Sequence, residues 1–233
     1  MAVLHHRAGT EQNAGVRARV FSFRSQRHTR PSPTRFFALV DGVFAIATTL
    51  LVLELHTPRD VASGRLGHEL GKLAGSFGAY AFGFLQTFGG WSVSHRLSAR
   101  LKGIDQWMVL SLGIGLAFVS LIPFSTAVLA ESRHDPANLR TAVALVTGLG
   151  FLSTLTLVIA TFHAWNAGLM IEEYTREHFD WLSRLMIAAL VGFAAAFALS
   201  FVNAYLALVP TIAGYLATLL PLRMDEFPVA ASG

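Results

Sequence analysis

Apolar residues fall in long blocks along this chain, separated by short stretches that hold most of the charge. Residues 36–55 are apolar apart from Asp41 and Glu54, which sit near the two ends of the block. Residues 74–94, 107–130 and 141–166 contain no charged side chain, and neither do residues 185–222. Each of the first four blocks supplies the ~20 residues a helix needs to cross a hydrocarbon core. As one straight helix the last block would be roughly 57 Å long at 1.5 Å per residue, well beyond a core of ~30 Å. Asn203 and Pro210 mark the place to divide it, giving two spans in a tight hairpin. The pattern predicts an all-α integral membrane protein with six transmembrane helices over residues 35–223.

The remaining segments are polar. Residues 1–34 combine several Arg and Ser with the turn-rich Arg30-Pro31-Ser32-Pro33 and read as a disordered basic cytoplasmic tail. Residues 224–233 form a short C-terminal tail. Residues 56–73 make the longest outer loop. Residues 167–184 carry Glu172, Glu173, Arg176, Glu177 and Asp180, as expected of a short amphipathic helix at the membrane surface.

Composition agrees with the pattern. Of 233 residues, 53% are hydrophobic and 14% charged, with a mean hydropathy of +0.52; a soluble domain carries about 25% charged residues. The absence of Cys excludes disulfides and thiolate metal sites. The net charge of +4 does not point to nucleic acid, because Arg7, Arg17, Arg19, Arg24, Arg27, Arg30 and Arg35 crowd beside the first span. Basic residues in that position mark the cytoplasmic side. With the N-terminus inside, 13 of the 18 Lys and Arg lie on inner segments. The expectation is a multi-pass cell-membrane protein with both termini cytoplasmic. No His-Glu-x-x-His, phosphate-binding loop, dinucleotide fingerprint or nucleophile elbow occurs, so neither a metal site, a cofactor nor an enzymatic motif is expected.

The first span reads Arg35-Phe36-Phe37-Ala38-Leu39-Val40-Asp41-Gly42-Val43-Phe44-Ala45-Ile46-Ala47, continuing to Thr48-Thr49-Leu50-Leu51-Val52-Leu53-Glu54-Leu55. It resembles the signature first helix of the transmembrane protein 175 family, potassium channels of endosomes and lysosomes with shorter bacterial and archaeal relatives. Arg35, Asp41 and Gly42 match the signature. Leu39 and Val40 stand where the family has Phe and Ser, so the serine hydroxyl is missing here. The Trp91…His95 pair closing the second span also fits.

The resemblance implies a homotetramer in which four first helices surround a central pore. It implies conduction of potassium with modest preference over sodium, without a selectivity-filter loop. No Thr-Val-Gly-Tyr-Gly run is present. It further implies that Ile46 forms the narrowest ring, with layers at Thr49, Leu50 and Leu53. These four positions fall at i, i+3, i+4 and i+7, one face of a helix. Spacing alone is equally that of a packing seam; the resemblance selects the pore.

Two carboxylates flank this face. A membrane-embedded Asp41 needs a partner; Arg35 is too far along the same helix, leaving Trp91 and His95 as candidates. Four copies of Glu54 would form an outer acidic ring that concentrates cations, or each would be an ordinary interfacial Glu. His163 and Trp165 close the fourth span, where Trp is an interfacial anchor by default. Gly83, Gly89, Gly90, Gly113, Gly115, Gly148 and Gly150 suit close helix packing.

The functional expectation is a potassium-favouring cation channel gated by an apolar constriction on the first helix. Its partners are the other copies of the same chain in the homotetramer, the bilayer and monovalent cations, with sodium or protons as further permeant ions. One alternative is a proton-permeable leak using Asp41, Glu54, His56 and His95. Another is a membrane-embedded enzyme with Asp41 and His95 as an acid–base pair, and a third is a membrane protein without transport.

Overall fold

The structure, a computed structural model, describes residues 33–59 and 61–219. Among these residues the regular elements are helical, apart from one isolated bridge between Leu101 and Met170. Helix α1 runs Pro33–Leu50 and tightens into a 3-10 turn over Leu51–Glu54. Pro33 occupies its first position, where the missing N–H would be unsatisfied anyway and the fixed φ suits a helix. The helix therefore begins two residues before the expected boundary. Residues 1–32 and the C-terminal tail at 224–233 lie outside the described residues.

A short helix α2 (Leu66–Lys72) leads into α3 (Ala74–Ser98), followed by α4 (Gln106–Ser120) and α5 (Ile122–Glu131). Then come a 3-10 turn (Ser132–His134), α6 (Pro136–Asn166), α7 (Arg176–Ser200) and α8 (Ala204–Leu219). Side chains written into the sequence fix several of these starts. Asp105 caps α4, its Oδ1 accepting from the Met108 N–H at 2.9 Å. Asp135 does the same for α6 through the Ala137 N–H at 3.2 Å, with Pro136 in the first turn. Thr175 and His178 form a reciprocal capping box on α7. Asn203 caps α8 by accepting from the N–H groups of Tyr205 and Leu206 at 3.0 and 3.2 Å.

Three expectations change. The break in the last apolar block lies at Phe201–Asn203, while Pro210 sits inside α8 rather than at the hairpin. The span expected over 107–130 stands as one candidate span, Gln106–His134, but its helix is interrupted at Leu121, where α4 gives way to α5. Pro123, at the start of α5, cannot continue the hydrogen bonding of α4. Residues 167–184 form no separate amphipathic helix: residues 167–175 are a loop, and the acidic residues Glu177 and Asp180 belong to the first turns of α7.

Among the described residues four segments are long and apolar enough to cross a membrane: Pro33–Glu54, Gln106–His134, Pro136–Asn166 and Arg176–Ser200. Helix α3 matches them in length at 25 residues, but Gln86, Thr87, Ser94, His95 and Arg96 dilute its hydropathy. Helix α8 is apolar but has only 16 residues, about 24 Å of rise at 1.5 Å per residue.

The main core gathers Phe37, Val40, Phe44, Ala47 and Leu51 from the first span against Leu97, Met108, Leu112, Val119 and Ile122. A second cluster joins Phe82, Leu129, Leu139, Val143, Val146 and Ala207. In lipid such contacts hold by close packing rather than by escape from water, so small residues matter. A Cβ at Gly83 would come within 2.9 Å of Leu51 Cδ2, and one at Gly115 would collide with Thr156 Oγ1. The α3–α4 loop is tied to the 167–175 loop: the Lys102 N–H donates to the Leu169 carbonyl at 2.9 Å, and the Ile171 N–H to the Arg100 carbonyl at 3.0 Å.

Candidate functional site

Helix α1 has two unlike faces. Phe37, Val40, Phe44, Ala47 and Leu51 are buried at helical spacing. On the other side Ile46 is 60% exposed, Leu50 41% and Leu53 69%, with Thr49 exposed between them. The structure thus places Ile46, Thr49 and Leu50 on one uncovered face, and Leu53 follows in the 3-10 turn that ends the segment. Among the described residues this stripe is left uncovered.

Thr49 is the hydroxyl on that face. Its Oγ1 donates to the carbonyls of Ala45 (3.1 Å) and Ile46 (2.9 Å). With its hydrogen committed to the helix backbone, the oxygen can offer only lone pairs to whatever lies beyond. Thr48, one residue earlier, makes the same kind of bond to the Phe44 carbonyl at 2.8 Å.

At the N-terminal end of the face, Asp41 finds its partner on α3. The Trp91 indole N–H donates to Asp41 Oδ1 at 3.0 Å. Trp91 is held in turn by a ladder of rings along α3, with Phe88 at 5.4 Å on one side and His95 stacked at 5.1 Å on the other. Of the two candidate partners, Trp91 bonds Asp41 directly, and His95 supports the indole from behind. Arg35 lies exposed in the first turn of α1 and forms no ion pair with Asp41. Gly42 meets no neighbour that a Cβ would strike, so packing within the chain does not require glycine there. At the far end Glu54 is half-buried, and its backbone carbonyl lies 3.1 Å from His56 Nδ1.

One polar pair has no counterpart in the sequence reading. His163 Nε2 lies 2.7 Å from Asp105 Oδ2, joining the C-terminal turn of α6 to the N-cap of α4. The residues are 58 positions apart, and nothing local links them. Trp165 is packed within the protein, stacked on Phe179 at 4.4 Å with the Arg176 guanidinium 5.9 Å from its ring centroid. In the adjoining loop, burial pushes the Tyr174 phenol up to about 12, against the opposing pull of Arg100. On the short helix α2, the hydrogen bond from Lys72 holds the Glu69 carboxyl below its ordinary range. Among the described residues no cluster of three His, Asp or Glu could hold a metal ion.

Comparison with known proteins points in one direction. A family profile described as the endosomal/lysosomal potassium channel TMEM175 matches residues 35–123, which include the α1 face and the Asp41–Trp91 pair. The chain is 31% identical over 175 residues to a potassium channel of Chamaesiphon minutus, covering 74% of this chain and 86% of that one. A potassium channel of Streptomyces collinus is 28% identical over 75% of this chain and 85% of its own length. The endosomal/lysosomal proton channel TMEM175 of Mus musculus is 31% identical over 74% of this chain, but that match covers 38% of the longer mouse protein. In three dimensions the chain is similar to the crystal structure of a lysosomal potassium-selective channel TMEM175 homolog from Chamaesiphon minutus. The TM-score is 0.71 at 28% identity, covering 80% of this chain and 95% of that one.

Proposed function

The chain belongs to the TMEM175 family, and from that premise we propose that it is a potassium-favouring cation channel in which four copies of α1 surround a central pore. The observation that carries this reading is the division of α1. One face is locked into the core by Phe37, Val40, Phe44, Ala47 and Leu51, while the opposite apolar face, with Thr49 at its centre, is left exposed among the described residues.

In a tetramer the exposed face becomes the pore wall. A ring of four Ile46 side chains excludes water when it narrows, and an apolar constriction of this kind gates by dewetting. Thr49 lies about one turn further, and four of its oxygens, with their hydrogens already donated to the helix, replace part of the water around a dehydrating cation. Leu50 and Leu53 continue the wall, and Glu54 gives the mouth a negative ring that raises local cation concentration. The Asp41–Trp91 bond fixes the azimuth of α1 against α3, which keeps Ile46 turned toward the axis. Gly42 leaves the surface beside Asp41 clear for a neighbouring copy. Helices α3 and α8 complete a six-span subunit in the cell membrane, and the basic tail ahead of α1 puts both termini in the cytoplasm.

A second permeant ion has specific support in the naming of the mouse relative as a proton channel. Proton movement in this chain goes through pore water rather than from Asp41 to His95. An indole N–H donates but cannot accept, so Trp91 interrupts that relay. The same arrangement removes the acid–base pair an enzyme would need, and the family consists of channels.

Flux through purified protein in liposomes, first under a potassium gradient and then under a sodium gradient, tests the proposal. Potassium flux is expected to exceed sodium flux, and Ile46→Asn to raise the leak and lower the preference. No flux of either ion from well-folded tetramers would overturn it.

A further inference from the structure

Arg35 stands exposed in the first turn of α1, and among the described residues its side chain has no hydrogen-bond or salt-bridge partner. An exposed guanidinium of this kind adds little to the hold of α1 on its neighbours. Its register on the helix is more informative. Arg35, Leu39, Gly42 and Ile46 follow at i, i+4, i+7 and i+11, the spacing of one stripe, and Leu39 is 58% exposed. At 3.6 residues per turn Arg35 lies about three turns before Ile46 and about 20° from its azimuth. At 1.5 Å per residue the two are roughly 16 Å apart along the helix.

From Pro33 to Glu54 the charged residues are Arg35, Asp41 and Glu54 itself. Asp41 lies about 120° round the helix from Arg35 and is bonded to Trp91 of α3. The uncovered stripe therefore opens on a cation, continues through apolar side chains and Thr49, and ends beside a carboxylate. Its two ends carry opposite charge.

We propose that four Arg35 side chains form a positive ring at the N-terminal mouth of the pore and make the channel rectify, so that cations pass more readily from the Glu54 end to the Arg35 end than back. This rests on the reading of α1 as the pore wall. A ring of like charges at a wet mouth lowers the local concentration of cations, while the carboxylates at the other mouth raise it. Entry at each mouth follows that local concentration, so with equal potassium on both sides entry is slower past Arg35. The ring acts on entry and not on the barrier at Ile46, because their separation exceeds the ~8 Å over which salt screens a charge at physiological ionic strength. Asp41 offsets part of the field from the α3 side of the helix, but Arg35 is the charge on the stripe itself.

The test records the full chain in excised membrane patches, with equal potassium and neither divalent cations nor polyamines on the two sides. At equal and opposite voltages, current entering from the Glu54 end should exceed the reverse current several-fold, and high salt should shrink the ratio. Arg35→Lys should keep the asymmetry, and Arg35→Gln should remove it. Arg35→Cys gives a readout that a structural role would not move, because the introduced thiol is the sole one in the chain. A cationic methanethiosulfonate on that thiol should restore the asymmetry and an anionic one reverse it, which also serves if the Gln variant does not fold. Equal currents in both directions through the parent, or a ratio that neither Arg35→Gln nor the sign of the attached reagent changes, would overturn the ring and leave a pore lined by α1 standing. Absence of any potassium current would instead overturn the pore, and the ring with it.

Discussion

The Trp91–Asp41 hydrogen bond ties α1 to α3 alongside the apolar contacts of Phe37, Val40, Phe44, Ala47 and Leu51. Asp41 was legible in the sequence as a carboxylate in need of a partner, because a charge beside lipid is costly unless paired. Which partner it takes was not legible, since Trp91 and His95 stand one helical turn apart on the same face of α3 and only geometry separates them. Trp91→Phe keeps the ring ladder and removes the donor. The expected loss is on the order of 1 kcal/mol, at the low end for a bond to a charged group because Asp41 is exposed, read as a lower unfolding temperature in detergent. His95→Ala, which removes a support and no hydrogen bond to Asp41, should cost less. Thr49→Val keeps the shape of the proposed pore wall and deletes the oxygen. It is expected to lower the ratio of potassium to sodium flux by several-fold while leaving the oligomer intact, as read from liposome flux and size-exclusion chromatography.

For whole elements, periodicity located the apolar blocks but not what happens inside them. The first span was readable as a helix, because its buried and exposed residues recur at helical spacing, but not its start at Pro33 or the 3-10 turn over Leu51–Glu54. The third block looked continuous, since Leu121 and Pro123 are as apolar as their neighbours; the break comes from a missing backbone N–H, which hydropathy does not register. Pro210 misled for the opposite reason. A proline is tolerated inside a helix when its neighbours hold that helix in place, while the real boundary is set by the cap at Asn203. Asn203→Ala should therefore cost about 1 kcal/mol, seen as lower thermal stability, whereas Pro210→Ala should leave the hairpin where it is. The Asp105–His163 contact was invisible in the sequence because its two residues meet only after α4 and α6 have packed.

In the molecule as a whole, the apolar blocks together with the composition pointed to a helical membrane protein, and a resemblance confined to the first helices pointed to the family that the comparisons show. The span count was less accessible. Helix α3 carries polar residues that the bundle hides, Gln86 and Thr87 among them, so its hydropathy understates its place in the fold. The assembly is not written in one chain's periodicity, since an exposed apolar stripe faces lipid and a partner copy equally well. The absence of cysteine makes that question directly accessible, because any Cys introduced on α1 is the sole thiol in the protein. The decisive measurement is block of liposome flux by a charged thiol reagent across single-Cys variants of the first span. Ile46→Cys, Thr49→Cys and Leu53→Cys should be blocked, while Val40→Cys, Phe44→Cys and Ala47→Cys conduct as before. Block on the Val40–Phe44–Ala47 face, or no block at any of the six positions in conducting protein, would contradict a pore lined by α1.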